Sequence, residues 1–326
     1  VPVTSLPKTD GDIARIRGMV FSATSLQEYL ACPARFYYHQ IRKLGPDEEV
    51  SEVLDAGVFG NVFHEVMHAL YLGEGAMASD LPAREWARQA SPEEKLSGVA
   101  PGYISSWLER RPAIRDKVRR VIMREMHSLE ISGRNLVVAD VIFRYVMKTL
   151  SVDRELLERA GRKSFRVIGL ERNYEIDFHG FRIKGIIDRI DDLADGGIRI
   201  VDYKTGSVKD NDVEISEDNA AEVAEAVFGP DNSRRPKIAL QLYVYDKFLM
   251  QDTREESGTV HNCIYSTMNL FSGLPESRPV SAGFMREMDA RLVELFREMT
   301  DISVPFRLAG DVRVCEYCDF KTICGR

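Results

Sequence analysis

The chain has 326 residues, 44% of them hydrophobic and 29% charged, with a formal net charge of −7. Such a length holds one large domain or two ordinary ones, and the composition is that of a soluble globular protein, not a disordered or fibrous one. No apolar run approaches the roughly 20 residues needed to span a bilayer, and the acidic balance argues against nucleic-acid binding through bulk charge alone.

The opening Val1-Pro2-Val3-Thr4 has neither an initiator Met nor a signal-peptide pattern. It reads as a piece of a longer cytoplasmic protein, with a flexible lead-in over 1–17 and one domain over 18–326. Ser25 followed by Glu28 predicts a capping box that opens a helix through Leu30. Residues 59–72 have helical amphipathic spacing, with Gly60 permitting close packing near the start. Residues 76–164 lack strand alternation, are punctuated by Pro82, Pro92, Pro101 and Pro112, and read as one helical insertion. Within it, the stretch from Arg110 to Arg124 holds seven basic residues and one acid, Asp116. Its apolar Ile114, Val118, Val121 and Ile122 share a face, so the basic remainder fits either a phosphate-backbone contact or a solvated or partner-docking face.

At Phe165 the period changes. Residues 165–178, 181–193 and 198–203 read as three successive strands, with turns at His179-Gly180 and Asp195-Gly196-Gly197. Residues 206–236 are polar and acidic and are expected to include a mobile loop. A helix over 238–250, a strand over 260–266 and a last helix over 284–299 complete the order. No G-x4-G-K-[ST] phosphate loop occurs, so the chain alone is not expected to hydrolyse ATP.

Asp188 is followed fourteen residues later by Asp202-Tyr203-Lys204. Side chains i and i+2 of a strand share a face, so Asp202 and Lys204 project together, and the hairpin can bring Asp188 beside them. Two close carboxylates repel unless a cation lies between them, and hard oxygen ligands suit Mg2+ or Mn2+. An adjacent ammonium can offset developing phosphate charge. Alone, however, D-x-K also describes an ordinary surface ion pair.

Cys315, Cys318 and Cys324 form C-x2-C-x5-C at the end of the sequence, Cys32 lies far upstream, and Cys263 sits in an apolar stretch as a buried strand thiol. Four thiolates bind either Zn2+ or a [4Fe–4S] cluster, and spacing does not choose between them. Either would join the two ends of the domain in a structural role. His64-Glu65-Val66-Met67-His68 matches H-E-x-x-H, the zinc-protease helix, although the position of a third His is occupied by Glu74.

Together, Gly60-x3-His64, Gly185-x2-Asp188, Asp202-Tyr203-Lys204 and Gln241-Leu242-x2-Tyr245, with Cys32 and the terminal cysteines, resemble the RecB-type branch of the PD-(D/E)XK nucleases. The closest likeness is to the C-terminal iron–sulfur nuclease domain of AddB-type helicase–nuclease subunits, over about 20–75 and 165–326. The resemblance implies a restriction-endonuclease-like α/β core, a central mixed sheet flanked by helices, interrupted by the helical insertion. It implies a Mg2+- or Mn2+-dependent deoxyribonuclease of exonuclease type in double-strand-break repair, with DNA as substrate and a helicase subunit, or a helicase-like region of the same longer protein, as partner. His64, Asp188, Asp202 and the Tyr203 carbonyl would bind the metal, and Lys204 would be the catalytic lysine. Gln241 and Tyr245 would face the active site, and Cys32, Cys315, Cys318 and Cys324 would hold a [4Fe–4S] cluster. Glu171 lies where the family sometimes places a further acid; from the strand alone it is a surface carboxylate. Two alternatives remain open at this point: a DNA-binding iron–sulfur module without catalysis, and a zinc protease acting through His64, His68 and Glu65.

Overall fold

Turn chemistry sets up the sheet. The computed structural model describes residues 5–45, 54–193, 196–209, 212–230, 235–252 and 259–326. Among them, the N-terminal part carries β1 (Ser5–Leu6), α1 (Asp10–Gly18), β2 (Val20–Phe21), α2 (Ala23–Ala31), α3 (Pro33–Phe36) and α4 (Ala56–Leu72). Helices α5 (Glu74–Ala78), α6 (Ala83–Gln89), α7 (Pro101–Glu109), α8 (Arg111–Glu125) and α9 (Arg134–Arg159) follow. The chain then forms β3 (Arg166–Phe178), β4 (Phe181–Asp192) and β5 (Ile198–Lys204). It continues through α10 (Ala220–Phe228), α11 (Lys237–Asp252), β6 (Val260–Ser266), β7 (Ser277–Pro279), α12 (Ala282–Thr300) and β8 (Phe306–Arg307).

β3 and β4 pair antiparallel along their whole length, from Arg166↔Asp192 to Phe178↔Phe181. Their connection is the expected His179-Gly180, with φ of 51° and 84°; two successive left-handed residues match the twist of a tight hairpin. Of the second expected turn, Asp195 lies outside the described residues. β5 pairs antiparallel with β4 and parallel with β6, and β7 closes the far edge. The second edge of β4 is shared: β2 runs parallel to Arg182 and Ile183, and β5 takes Arg189 to Asp192. Between these two partners the edge of β4 is open among the described residues. Helices cover both faces, giving the mixed, helix-flanked sheet of the restriction-endonuclease-like class.

On one face, Phe63, Val66 and Leu70 of α4 share a core with Ile114 and Val118 of α8 and Phe143 and Val146 of α9, so the insertion packs as part of the domain. Beneath them lies a buried ion network. Arg189 of β4 donates to both oxygens of Asp153 on α9 at 2.9 and 3.0 Å and to the Tyr203 hydroxyl at 2.8 Å. Arg199 donates to Asp191 at 2.7 and 2.9 Å. On the other face, α2, α11 and α12 bury Leu26, Tyr243, Phe248, Met288 and Leu292 against Ile183, Ile187 and Ile190.

Several sequence expectations shift. Helix α2 is capped by Ser22, not Ser25: Ser22 is extended and accepts the Ser25 N–H, while Ser25 returns the bond as the N3 residue of the box. Glu28 pairs instead with Arg35 and His39. The 1–17 lead-in carries α1, capped by a Thr9/Asp12 box with Ile16 buried, and Ser5 and Leu6 pair with Arg307 and Phe306. The acidic 206–236 segment includes α10, whose Ala224 and Val227 are buried. The basic helix α8 spends much of its charge internally. Lys117 is buried and donates to the Ala76 and Ser79 carbonyls, and Arg120 caps the same turn. Arg124 pairs with Glu65. Among the described residues, no helix is long and apolar enough to cross a membrane.

Candidate active site

The open stretch of β4 is where the candidate residues meet. β5 leaves β4 after Val201↔Arg189. Two residues further along β5, the Tyr203 N–H donates to Asp188 Oδ2 at 2.8 Å, so a side-chain carboxylate takes over where the backbone ladder stops. The alternation of β4 also slips there: Ile183, Ile187 and Ile190 all face one core, although the last interval is three residues. That slip releases Asp188 from both cores and turns it into the fork.

Asp202 is buried on β5. Its Oδ1 accepts from Gln241 Nε2 at 2.9 Å and from the Tyr245 hydroxyl at 3.2 Å. Lys204 Nζ lies 2.8 Å from Asp202 Oδ2, whose hydrogen-bonding capacity is otherwise unmet, and donates to Gln241 Oε1 at 2.6 Å. Gln241 and Tyr245 are four residues apart on α11 and therefore share a face. Gly185 lets that helix approach: a Cβ there would meet the Phe248 ring at 2.7 Å. Gly60 carries no such demand, since its Cβ would find only ordinary contact with Thr205. From the opposite side, α4 delivers His64, whose Nδ1 lies 3.5 Å from Asp188 Oδ1.

Electrostatics follow from this geometry. Burial drives the Asp202 carboxyl above its usual range, and Asp188 pushes the same way, against Lys204 and His64. Burial alone would lower His64, but its bond to Asp188 and the nearby Asp188, Asp202 and Glu171 charges hold it above the usual histidine value. Burial, together with the Asp202 and Asp188 charges, also pushes the Tyr245 hydroxyl up, which keeps it a donor.

All six side chains expected at the site, His64, Asp188, Asp202, Lys204, Gln241 and Tyr245, thus converge on one fork. A cleft of about 680 Å³ opens beside Lys204 and Gln241, bordered by Lys184, Gly185 and the first turn of α2. Lys184 and that turn escaped sequence reading; a lysine next to the G-x2-D glycine was the available signal. The Glu171 expectation also changes. Glu171 is partly buried, with φ of 43°, and pairs with Arg84 at 3.3 Å and His68 Nδ1 at 3.7 Å. His68 foremost holds its carboxyl below the usual range. Glu65 accepts the Ala83 N–H at 2.7 Å and pairs with Arg124, so it is a packing carboxylate and not a base poised between two histidines.

The donor set suits a hard divalent cation: two carboxylates and an imidazole, one oxygen facing nothing but an ammonium. In this structure those atoms are engaged by protein partners, and among the described residues no three His, Cys, Asp or Glu side chains close on a common point. The cysteines lie elsewhere. Cys32 and Cys324 are buried, Cys315 and Cys318 partly so, and all four thiols are free. Burial raises the Cys324 thiol first, and Cys32, Cys318 and Cys315 raise it further, so each of these three lies within electrostatic reach of Cys324.

A profile of the PD-(D/E)XK nuclease superfamily matches residues 20–325. The chain belongs to the PD-(D/E)XK nuclease superfamily. No curated protein matches it. Nucleases of this superfamily typically use Mg2+ or Mn2+, in keeping with the donor set at the fork. Membership of this superfamily suggests nuclease activity.

Proposed function

We propose that this chain is the nuclease domain of a DNA double-strand-break repair helicase–nuclease, similar to the C-terminal domain of AddB-type subunits, and that it cuts DNA in exonuclease fashion. The observation that carries the reading is the junction of Asp188, Asp202 and Lys204 at the β4–β5 fork, with Gln241 and Tyr245 fixing their orientation. Asp188, Asp202, His64 and the Tyr203 carbonyl would hold Mg2+ or Mn2+. When bound, the ion supplies an activated water and neutralises charge on the phosphate. Lys204, tethered by Gln241, holds its ammonium where negative charge develops on a non-bridging oxygen. Tyr245 and Gln241 keep the Asp202 carboxylate turned toward the fork. The partner in this reading is a helicase subunit or a helicase-like region of the same longer protein.

The test is Mg2+- or Mn2+-dependent degradation of linear DNA by the wild type and by Lys204→Ala. Loss of one group that stabilises developing charge costs about 100- to 1,000-fold. Unchanged cleavage in the variant would remove Lys204, and with it the fork, from the mechanism.

We further propose that Cys32, Cys315, Cys318 and Cys324 hold a [4Fe–4S] cluster that fastens the two ends of the domain, with Zn2+ as the alternative at the same thiols. Support comes from their grouping as free thiols beside the β1–β8 pairing. Anaerobically purified protein should then show visible iron–sulfur absorbance that Cys318→Ala removes. A colourless protein containing stoichiometric zinc would decide for the alternative.

A further inference from the structure

The site stands beside a row of aromatic rings that the nuclease chemistry leaves unused. Phe59, at the start of α4, meets Tyr145 of α9 edge-on at 5.8 Å, and Tyr145 meets Phe271 at 5.7 Å. Phe271 is 57% exposed, and Lys148, one turn beyond Tyr145, places its ammonium 6.0 Å from the Phe271 ring centre. An isolated exposed Phe needs no explanation. This one caps a three-ring row, carries a cation over its ring 6.0 Å from the centre, and is fastened to the strand that bears Lys204. The turn that bears it follows β6. There the Thr267 N–H donates to the Lys204 carbonyl at 2.8 Å, Ser266 Oγ to the Gly206 carbonyl at 2.8 Å, and Asn269 Nδ2 to the Val208 carbonyl at 2.9 Å. At the other end of the row, Gly60 lies against Thr205, the residue after Lys204. His64 is five residues beyond Phe59 along the same helix, an axial rise of about 7.5 Å at 1.5 Å per residue. The row therefore flanks the outlet of the fork on the side of α4 and β6.

We propose that Phe59, Tyr145 and Phe271, with Lys148 beside them, form a stacking platform for the bases of a single nucleic-acid strand whose backbone runs into the Asp188/Asp202/Lys204 fork. The inference rests on the nuclease reading for the direction of that strand, but its binding test stands apart from it. Phe271 offers the exposed ring of the row, backed by the partly buried Tyr145 and Phe59. An exposed aromatic face accepts any base, and a nearby ammonium matches the phosphate between stacked bases, so the platform favours unpaired strand over duplex without sequence preference. In a duplex the faces of internal bases are already covered by their neighbours.

The test is fluorescence anisotropy of a labelled oligothymidylate and of a labelled blunt duplex, measured without divalent ions so that nothing is cut. Phe271→Ala should weaken binding of the single strand about tenfold, the loss expected for one stacked base. Phe271→Trp should restore it, and binding of the blunt duplex should be alike in all three proteins. Wild-type single-strand affinity in Phe271→Ala, an equal loss on both DNAs, or no single-strand binding by the wild type would overturn the platform. If the Phe271 dependence holds while the wild type cuts no DNA with Mg2+ or Mn2+, the platform stands and the nuclease reading fails. If the wild type cuts but the dependence is absent, the platform alone fails.

Discussion

Asp202 and Asp246 are both buried carboxyls, and their neighbours send them to opposite uses. Burial raises Asp202, yet Lys204 stands 2.8 Å away and a cation-accepting oxygen is left toward the fork. Asp246, on the face of α11 turned away from Gln241, is governed by burial and by an amide rather than by a cation. Burial pushes it up to about 8, opposed only by the Asn262 amide, which donates to both of its oxygens. A carboxyl whose folded value lies above its unfolded value of 3.8 keeps its proton better in the native state. Its contribution to stability is therefore complete below about 4 and is lost progressively as pH rises toward about 8. Asp246→Asn mimics the protonated form, so the variant should melt several degrees above the wild type at alkaline pH and converge with it in acid. Thermal melts across that range check the sign; a wild type that stays level while the variant falls would contradict it.

At the scale of elements, what was legible was whatever depended on spacing within a few residues. The His179-Gly180 turn, the shared face of Asp202 and Lys204, and the i, i+4 pairing of Gln241 with Tyr245 follow from local periodicity, and the structure has all three. The helical nature of 76–164 was legible from its lack of alternation. What that insertion does was not. Asp153 meets Arg189 across 36 residues and Tyr265 across 112, and no local pattern announces a partner at such range. The resulting network lies under the reverse face of the strands that carry Asp188 and Asp202, and so ties α9 to the fork. The cap of α2 was misplaced because Ser22 and Ser25 both suit the position, and only the extended backbone at Ser22 decides between them. The α10 helix was hidden by acidic flanks, although its Ala220, Ala224 and Val227 already had helical spacing. Glu171 looked like a surface acid because Arg84 and His68 reach it from other elements.

Across the whole molecule, the two ends of the domain meet and the middle is clamped. Ser5 and Leu6 pair with Arg307 and Phe306, and Lys8 donates to the Glu298 and Asp301 carbonyls at 2.6 and 3.2 Å, with the four-cysteine region alongside. The insertion holds α4 and the sheet from the other side. Between them β4 is left open over a short stretch, and that opening, set by where β2 and β5 stop, is what gathers side chains from α4, β4, β5 and α11. On the reading proposed above, this fork binds a divalent cation. Isothermal titration calorimetry with Mn2+ tests it without reference to any substrate. The wild type should bind Mn2+, and Asp202→Asn, with an unchanged melting temperature, should bind it at least about tenfold more weakly, a difference of about 1.4 kcal/mol. Equal Mn2+ affinity and stoichiometry in the two proteins would place the cation elsewhere and remove the fork as its site.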